Sequence, residues 1–262
     1  MELGLKGKRA VVTGGNRGIG RACALELARE GARVCVTARN EELLQSVVEE
    51  LNHAGGEGRF VSADLVSPDE CRKVVETAVA EFGGVDILIN SAGAAGAGDV
   101  LDLDIDLLKD ALDLKTYGYM RMIQLVIPHM KKSRWGRIVN IAGGAGASPG
   151  RGNLPTSFAN ITVLNATRAF SDAVSGDGIL INTICPGFTN TQRARTLMQK
   201  RAATEGIDVE EALKDLGRTL PAGRIAEPEE IGRVACFLSS EANSYMFGSS
   251  LYMDGGHRRG TP

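Results

Sequence analysis

The sequence predicts an α/β fold built on a doubly wound parallel sheet of seven strands, with helices on both faces. Two observations predict it. Seven short apolar runs alternate along the chain with longer amphipathic stretches. Several of the runs are rich in Val and Ile and apolar throughout, as strands buried on both faces must be. Alternation of this kind gives parallel strands joined by crossover helices. The expected architecture is Rossmann-like.

The elements follow in order. The first strand is Arg9–Thr13, and the next helix opens at the glycine-rich turn Gly14–Gly20. The second strand is Arg33–Thr37. A helix over Glu41–His53 follows, with Asn40 as its N-cap. Arg59–Ser62 is the third strand. Ser67 caps a helix over Pro68–Phe82, with Pro68 in the first helical position. Val85–Asn90 is the fourth strand, and one long helix is expected over Asp104–Met130. Arg137–Ile141 is the fifth strand, followed by a helix over Pro155–Val174. Leu180–Ile184, a helix over Glu229–Ser239 and a last strand Ser250–Met253 complete the sheet. No linker, repeat or low-complexity tract interrupts the 262 residues, so residues 1–262 are expected to form one domain. Residues 189–220 break the rhythm. A segment of this size beyond a strand's carboxyl end either covers a ligand crevice as a lid or forms a solvated helical hairpin. The lid reading is preferred.

Composition narrows the function. Hydrophobic residues make up 43% and charged residues 24%, the balance of a globular protein. A net charge of -2 gives no pull toward nucleic acid or an anionic membrane. No apolar run reaches the roughly 20 residues of a membrane helix. Met1–Lys6 show no apolar h-region, so no secretory signal is expected. Five scattered cysteines without a C-x-x-C pair read as reduced core residues, which suits a cytoplasmic location. His53, His129 and His257 share no metal-ligand spacing.

The turn Gly14, Asn16, Arg17, Gly18, Ile19, Gly20 carries the first functional reading. A glycine pattern alone is weak. Here a strand precedes it and a helix follows, so backbone N–H groups and a helix N-terminus face a pyrophosphate. A carboxylate at the end of the second strand would select NAD(H). The chain has Thr37-Ala38-Arg39-Asn40 instead, and Arg39 offers a phosphate-binding fork. Arg17 adds a second cation. NADP(H) is therefore the expected cofactor, unless both arginines are merely solvated. Asp64 and Leu65 follow the third strand, where an Asp accepts from the adenine amino group. Asn90, Ala92 and Gly93 follow the fourth, where small residues let backbone approach a ribose.

These segments together resemble the short-chain dehydrogenase/reductase family. The resemblance rests on Thr13-Gly14-x-x-x-Gly18-Ile19-Gly20, Asp64-Leu65, Asn90-x-Ala92-Gly93 and Gly136-Arg137-Ile138-Val139-Asn140-Ile141. It extends through Asn182-x-x-x-Pro186-Gly187-x-x-x-Thr191, Gly223-Arg224-x-x-x-Pro228-Glu229-Glu230-Ile231 and Asp254-Gly255-Gly256, nearly the whole chain. It implies a nicotinamide dinucleotide at the carboxyl edge of the sheet, with Pro186, Gly187 and Thr189 at its nicotinamide end. It also implies a homotetramer or dimer paired through the helices Asp104–Met130 and Pro155–Val174, and a small-molecule substrate.

The resemblance departs at the chemistry. Such enzymes use an Asn, a Ser, a Tyr and a Lys. Counted from Pro128, Ile141 and Asn182, those positions carry Lys115, Gly143, Thr156 and Asn160. The Lys and Asn side-chain types have changed places. Lys115 is the candidate proton donor or electrophile, with Thr156 or Asn160 orienting a carbonyl. The expected activity is NADP(H)-dependent oxidoreduction of a ketone or secondary alcohol with a non-standard site. The alternative is an inactive NADP(H)-binding protein, a sensor or an inactive subunit. Tyr117 and Tyr119 read as packing residues.

Overall fold

The computed structural model describes residues 2–93, 96 and 98–259. Its seven strands are β1 (Arg9–Thr13), β2 (Arg33–Ala38), β3 (Glu57–Ser62), β4 (Ile87–Asn90), β5 (Gly136–Ile141), β6 (Ile179–Pro186) and β7 (Ser250–Met253). They form one sheet in the order β3-β2-β1-β4-β5-β6-β7, every neighbouring pair parallel. The order reverses between β1 and β4. Loops leaving the carboxyl ends of these two strands diverge there and open a crevice.

The all-apolar strands are explained by two buried faces. Ala10, Val12, Val34, Val36, Ile87, Ile89 and Val139 point into one core. That core is closed by α1 (Gly18–Arg29), α2 (Glu41–His53) and α9 (Pro228–Leu238). Their neighbours Val11, Cys35, Leu88 and Ile138 point into the other. It is closed by α3 (Pro68–Phe82) and α5 (Gly118–Ser133), with the C-terminal end of α6 (Leu154–Val174). Alternation of side chains across each strand makes both sets obligatory.

Local signals behave as the sequence implies. Asn40 Oδ1 accepts from the Leu43 N–H at 2.9 Å, and Ser67 Oγ from the Glu70 N–H at 3.3 Å. All five cysteines are buried and unbridged. Burial pushes the Cys35 and Cys236 thiols up to about 12.

One element differs. The helix expected over Asp104–Met130 is in three pieces. Asp104 caps α4 (Ile105–Ala111), a π-helical turn occupies Leu112–Tyr117, and α5 then runs to Ser133. A π-turn widens the helix locally and re-aims the side chains it carries, and such turns gather at functional sites. This one carries Lys115. Tyr119 is buried and its hydroxyl donates to the Ile141 carbonyl, whereas Tyr117 is half exposed. Residues 189–220 hold two helices, α7 (Gln192–Glu205) and α8 (Val209–Arg218). Arg195 at the start of α7 pairs with Glu210 of α8. No helix among the described residues is long and apolar enough to cross a membrane.

Candidate active site and nucleotide cleft

The cleft floor is the glycine turn between β1 and α1. Gly14 and Gly18 have φ of 63° and 56°, a region costly for any residue with a Cβ. A Cβ on Gly20 would run into the Gly14 carbonyl oxygen. The turn therefore closes tightly and leaves its N–H groups along one edge. Arg17 is the N-cap of α1 in extended conformation, its side chain exposed and making no capping bond. The first turn of α1 has no carboxylate, so the helix N-terminus keeps its positive end for an anion. Asn16 and Ile19 lie half-buried in the same turn.

The loop after β4 is tied to this floor. Thr13 Oγ1 accepts from the N–H groups of Ser91 and Ala92 at 3.0 and 3.1 Å. Gly93 is exposed at the cleft. Asn90 is wholly buried, and its amide donates to Asn140 Oδ1 at 3.0 Å. A polar ladder continues from Asn140 Nδ2 to Thr167 Oγ1 (2.9 Å) and on to Thr183 Oγ1 (2.8 Å). The ladder from Asn90 thus ties β4, β5, α6 and β6 together, and Thr13 holds the loop that follows β4.

At the far end, Arg39 and Asp64 face each other. Arg39 Nη1 lies 3.8 Å from Asp64 Oδ2, and both side chains reach solvent. Leu65 is buried below them. At the other end Pro186 and Thr189 are buried and Gly187 is half-buried, its N–H bonded to the Met253 carbonyl.

Two of the three candidate catalytic positions, Lys115 and Asn160, converge on the turn after β5. Lys115 reaches across from the π-turn and donates from Nζ to the Ala142 carbonyl at 2.5 Å. A Cβ on Gly93 would sit 3.5 Å from its Cδ, so the lysine lines the cleft wall. Among the described residues it has no carboxylate partner. Arg193, in the first turn of α7, repels it. Burial, reinforced by Arg193 and opposed by Cys185, lowers the Lys115 pKa to about 7. From the other side Asn160 sits against Gly143. A Cβ on Gly143 would lie 2.8 Å from Asn160 Nδ2. Asn160 is 2% exposed, and its Oδ1 has no hydrogen-bond partner among the described residues. Thr156 lies four residues earlier on α6, on the same helix face, half-buried. Lys115 and Asn160 therefore meet at one turn, Ala142–Gly143.

Gly143 is held at φ 134°, where a side chain is strained. Gly143→Ser is expected to lower stability by about 1–3 kcal/mol, because the new Cβ meets Asn160 as well as the unfavourable backbone. A denaturant melt checks this. A variant as stable as the parent means that the turn relaxes freely.

The site also holds groups that sequence spacing does not mark. Arg193 is one of several cations of the 189–220 segment in sequence, and only the fold brings its charge within electrostatic reach of Lys115. Cys185 reads as a core residue and stands close enough to Lys115 to favour its charged form.

Known proteins match along the whole length. A family model described as enoyl-(acyl carrier protein) reductase matches residues 14–258. The 3-oxoacyl-(acyl-carrier-protein) reductase FabG of Vibrio cholerae is 32% identical over 259 residues, covering 97% of this chain and 98% of its own length. The structure of L-sorbose reductase from Gluconobacter frateurii, complexed with NADPH and L-sorbose, superposes with a TM-score of 0.96 at 27% identity over 100% of both chains. That of NAD+-bound xylitol dehydrogenase gives 0.89 at 26% identity, covering 96% of this chain and 99% of the other.

Proposed function

The chain belongs to the short-chain dehydrogenase/reductase family, and from that premise we propose that it is an NADP(H)-dependent oxidoreductase of a ketone or secondary alcohol with Lys115 as its proton donor. The convergence of Lys115 and Asn160 on the Ala142–Gly143 turn carries this reading. It puts a mobile proton and an unpartnered acceptor where the carboxyl end of β5 meets the cleft.

The residues fit the nucleotide. The uncapped start of α1 and the Gly14–Gly20 turn suit a pyrophosphate. Asn160 Oδ1, buried and unpaired, suits a ribose hydroxyl, since a buried acceptor without a donor costs about 1–3 kcal/mol. Arg39 and Arg17 would hold a 2′-phosphate, Asp64 and Leu65 the adenine, and Ala92, Gly93, Pro186, Gly187 and Thr189 the nicotinamide half, with Asn90 supporting from below. Bound NADPH would supply a hydride to the carbonyl carbon. Lys115 in its ammonium form then gives a proton from Nζ to the carbonyl oxygen, and Thr156 Oγ1 orients that oxygen. A proton donor works best when its pKa lies near the working pH. Residues 189–220 act as the lid, closing α7 over the cleft. Buried, unbridged thiols suit a cytoplasmic protein. Exposed Leu107, Tyr117 and Phe158 suit a helix-paired dimer or tetramer.

A second reading, an inactive NADP(H)-binding sensor or subunit, is favoured by one observation. Gly143 brings no hydroxyl to the site, and Thr156 makes no side-chain hydrogen bond among the described residues.

Titration with NADPH and NADH, followed by a panel of ketones and alcohols read at the nicotinamide absorbance, separates the two. NADPH is expected to bind roughly 10–100-fold tighter than NADH, the worth of one or two charge-assisted bonds. Arg39→Asp is expected to reverse the preference. Tight NADPH binding without turnover on any class supports the second reading, and an NADH preference removes Arg39 from its role.

A further inference from the structure

We propose that Thr116 is a positioning residue, whose hydroxyl bridge to Thr162 of α6 holds the π-turn Leu112–Tyr117 in place and so seats Lys115 on the Ala142 carbonyl. The effect on turnover rests on the reading of Lys115 as proton donor; the seating itself does not.

Lys115 is not held by its own charge. Among the described residues it forms no ion pair, whereas Lys8, Lys109 and Lys131 all do. Its Nζ makes a single hydrogen bond among them, to the Ala142 carbonyl at 2.5 Å. The backbone beneath the lysine must therefore set where the amine arrives. That backbone is a π-turn, which carries one residue more than an α-helical turn and needs a local reason to persist. One residue advances an α-helix by about 100° around its axis. Relaxation of the turn to α-helix would swing Lys115 by that angle relative to α5 and take Nζ off the carbonyl. The start of α5 cannot follow, because the Tyr119 hydroxyl is fixed to the Ile141 carbonyl at 3.2 Å and Met122 and Ile123 are buried in the core.

The turn is held from outside the helix, at two points. Near its start, Asp113 Oδ1 accepts from Arg121 Nη2 at 3.1 Å. Arg121 Nη1 also donates to the Leu65 and Val66 carbonyls at 3.3 and 3.0 Å, which ties this end to the loop after β3. Beside the lysine the tie is to α6, where Thr116 Oγ1 and Thr162 Oγ1 stand 2.6 Å apart. Thr162 gives its one hydroxyl proton to the Ala159 carbonyl at 2.9 Å, so Thr116 is the donor and Thr162 the acceptor. Thr116 is buried, so water does not simply replace a lost bond there. Thr162 lies two residues beyond Asn160 on the same helix. The hydroxyl bridge thus joins the two elements that bring Lys115 and Asn160 to the Ala142–Gly143 turn.

Thr116→Val tests this, since it keeps the β-branched shape and removes the hydroxyl. The readout is the NMR titration of Lys115 Cε in the full chain with isotope-labelled lysines, the resonance being the one absent from Lys115→Arg. Seated Lys115 titrates at about 7, chiefly through burial. Arg193 of α7 and Cys185 of β6 also act on its charge, the Tyr119 ring of α5 lies 6.0 Å away, and the variants alter none of these. An unseated amine enters water and holds its proton more tightly. Thr116→Val is expected to raise the proton affinity of Lys115 about fivefold, the worth of one lost hydrogen bond, and to lower kcat by a similar factor with KM for NADPH unchanged. Thr162→Val, which removes the acceptor from the other helix, is expected to do the same, and the double variant no more than either. Thr116→Ser is expected to restore the parental titration. Unchanged titration in the valine variants overturns the proposal, and so does a serine variant that behaves like valine. If Thr116→Val fails to fold, Thr162→Val and Thr116→Ser give the answer. A parent protein that reduces no ketone removes the oxidoreductase reading and leaves the titration to decide the bridge.

Discussion

Replacing Lys115 with Met is expected to lower turnover by roughly 10²–10⁴-fold while NADPH affinity changes only a few-fold. The amine is bonded to the Ala142 carbonyl and lines the cleft wall, so its loss removes a proton donor without touching the glycine turn. Steady-state kinetics beside a binding titration checks both halves. Unchanged turnover rules out Lys115 as the acid. The pH profile is a second readout. With a pKa of about 7, the donor loses its proton above neutrality, so reduction is expected to slow above about pH 7. The groups facing it are Arg193 from α7, Cys185 from β6 and the Tyr119 ring at 6.0 Å.

Stability moves in the opposite sense. The folded amine holds its proton less tightly than the unfolded one, whose pKa is near 10.5. Between about pH 7 and 10.5 the unfolded chain binds the extra proton, so stability rises with pH through that window. Below pH 7 the buried charge is present in full, and the cost is largest. Lys115→Met is therefore expected to stabilise the fold at pH 6, on the order of 2 kcal/mol once the residual solvent contact of the side chain is allowed for. The gain shrinks toward pH 10. Urea melts at pH 6 and pH 9.5 check the sign, and equal gains at both exclude a buried ammonium.

Gly20→Ala is expected to have the largest effect on the cleft. Its Cβ would occupy the place of the Gly14 carbonyl oxygen, and backbone cannot step aside as a side-chain tip can. The turn must open, which separates β1 from α1 and displaces the N–H groups facing the pyrophosphate. A loss of about 3 kcal/mol in stability and ~100-fold in NADPH affinity is expected. Gly7→Ala is the control. It also has a positive φ but meets nothing within 4 Å, so it feels only the backbone strain. Melting and titration of both variants give the comparison. Matching losses in the two imply a general glycine effect and no tight turn.

Much of this was legible in the chain. Alternating apolar runs require two buried faces, and Val11 and Val12 indeed point into opposite cores. Asn40 and Ser67 cap the helices they precede, because a cap is a bond between residues three apart. The glycine turn is local for the same reason. The helix Asp104–Met130 was not legible as built. A π-turn preserves the apolar spacing on either side of it, so periodicity passes over the extra residue.

The sequence by itself determined the α/β fold and the residue types available at the ends of the strands, since these follow from periodicity, turns and position along the strands. The tertiary structure alone decided how those types act. It brought Lys115 and Asn160, 45 positions apart in sequence, to one turn, brought the Arg193 charge within electrostatic reach of the amine and left Asn160 Oδ1 without a donor among the described residues. The charge of a half-buried lysine depends on its dielectric surroundings and on neighbours brought in from other elements, and linear spacing contains neither.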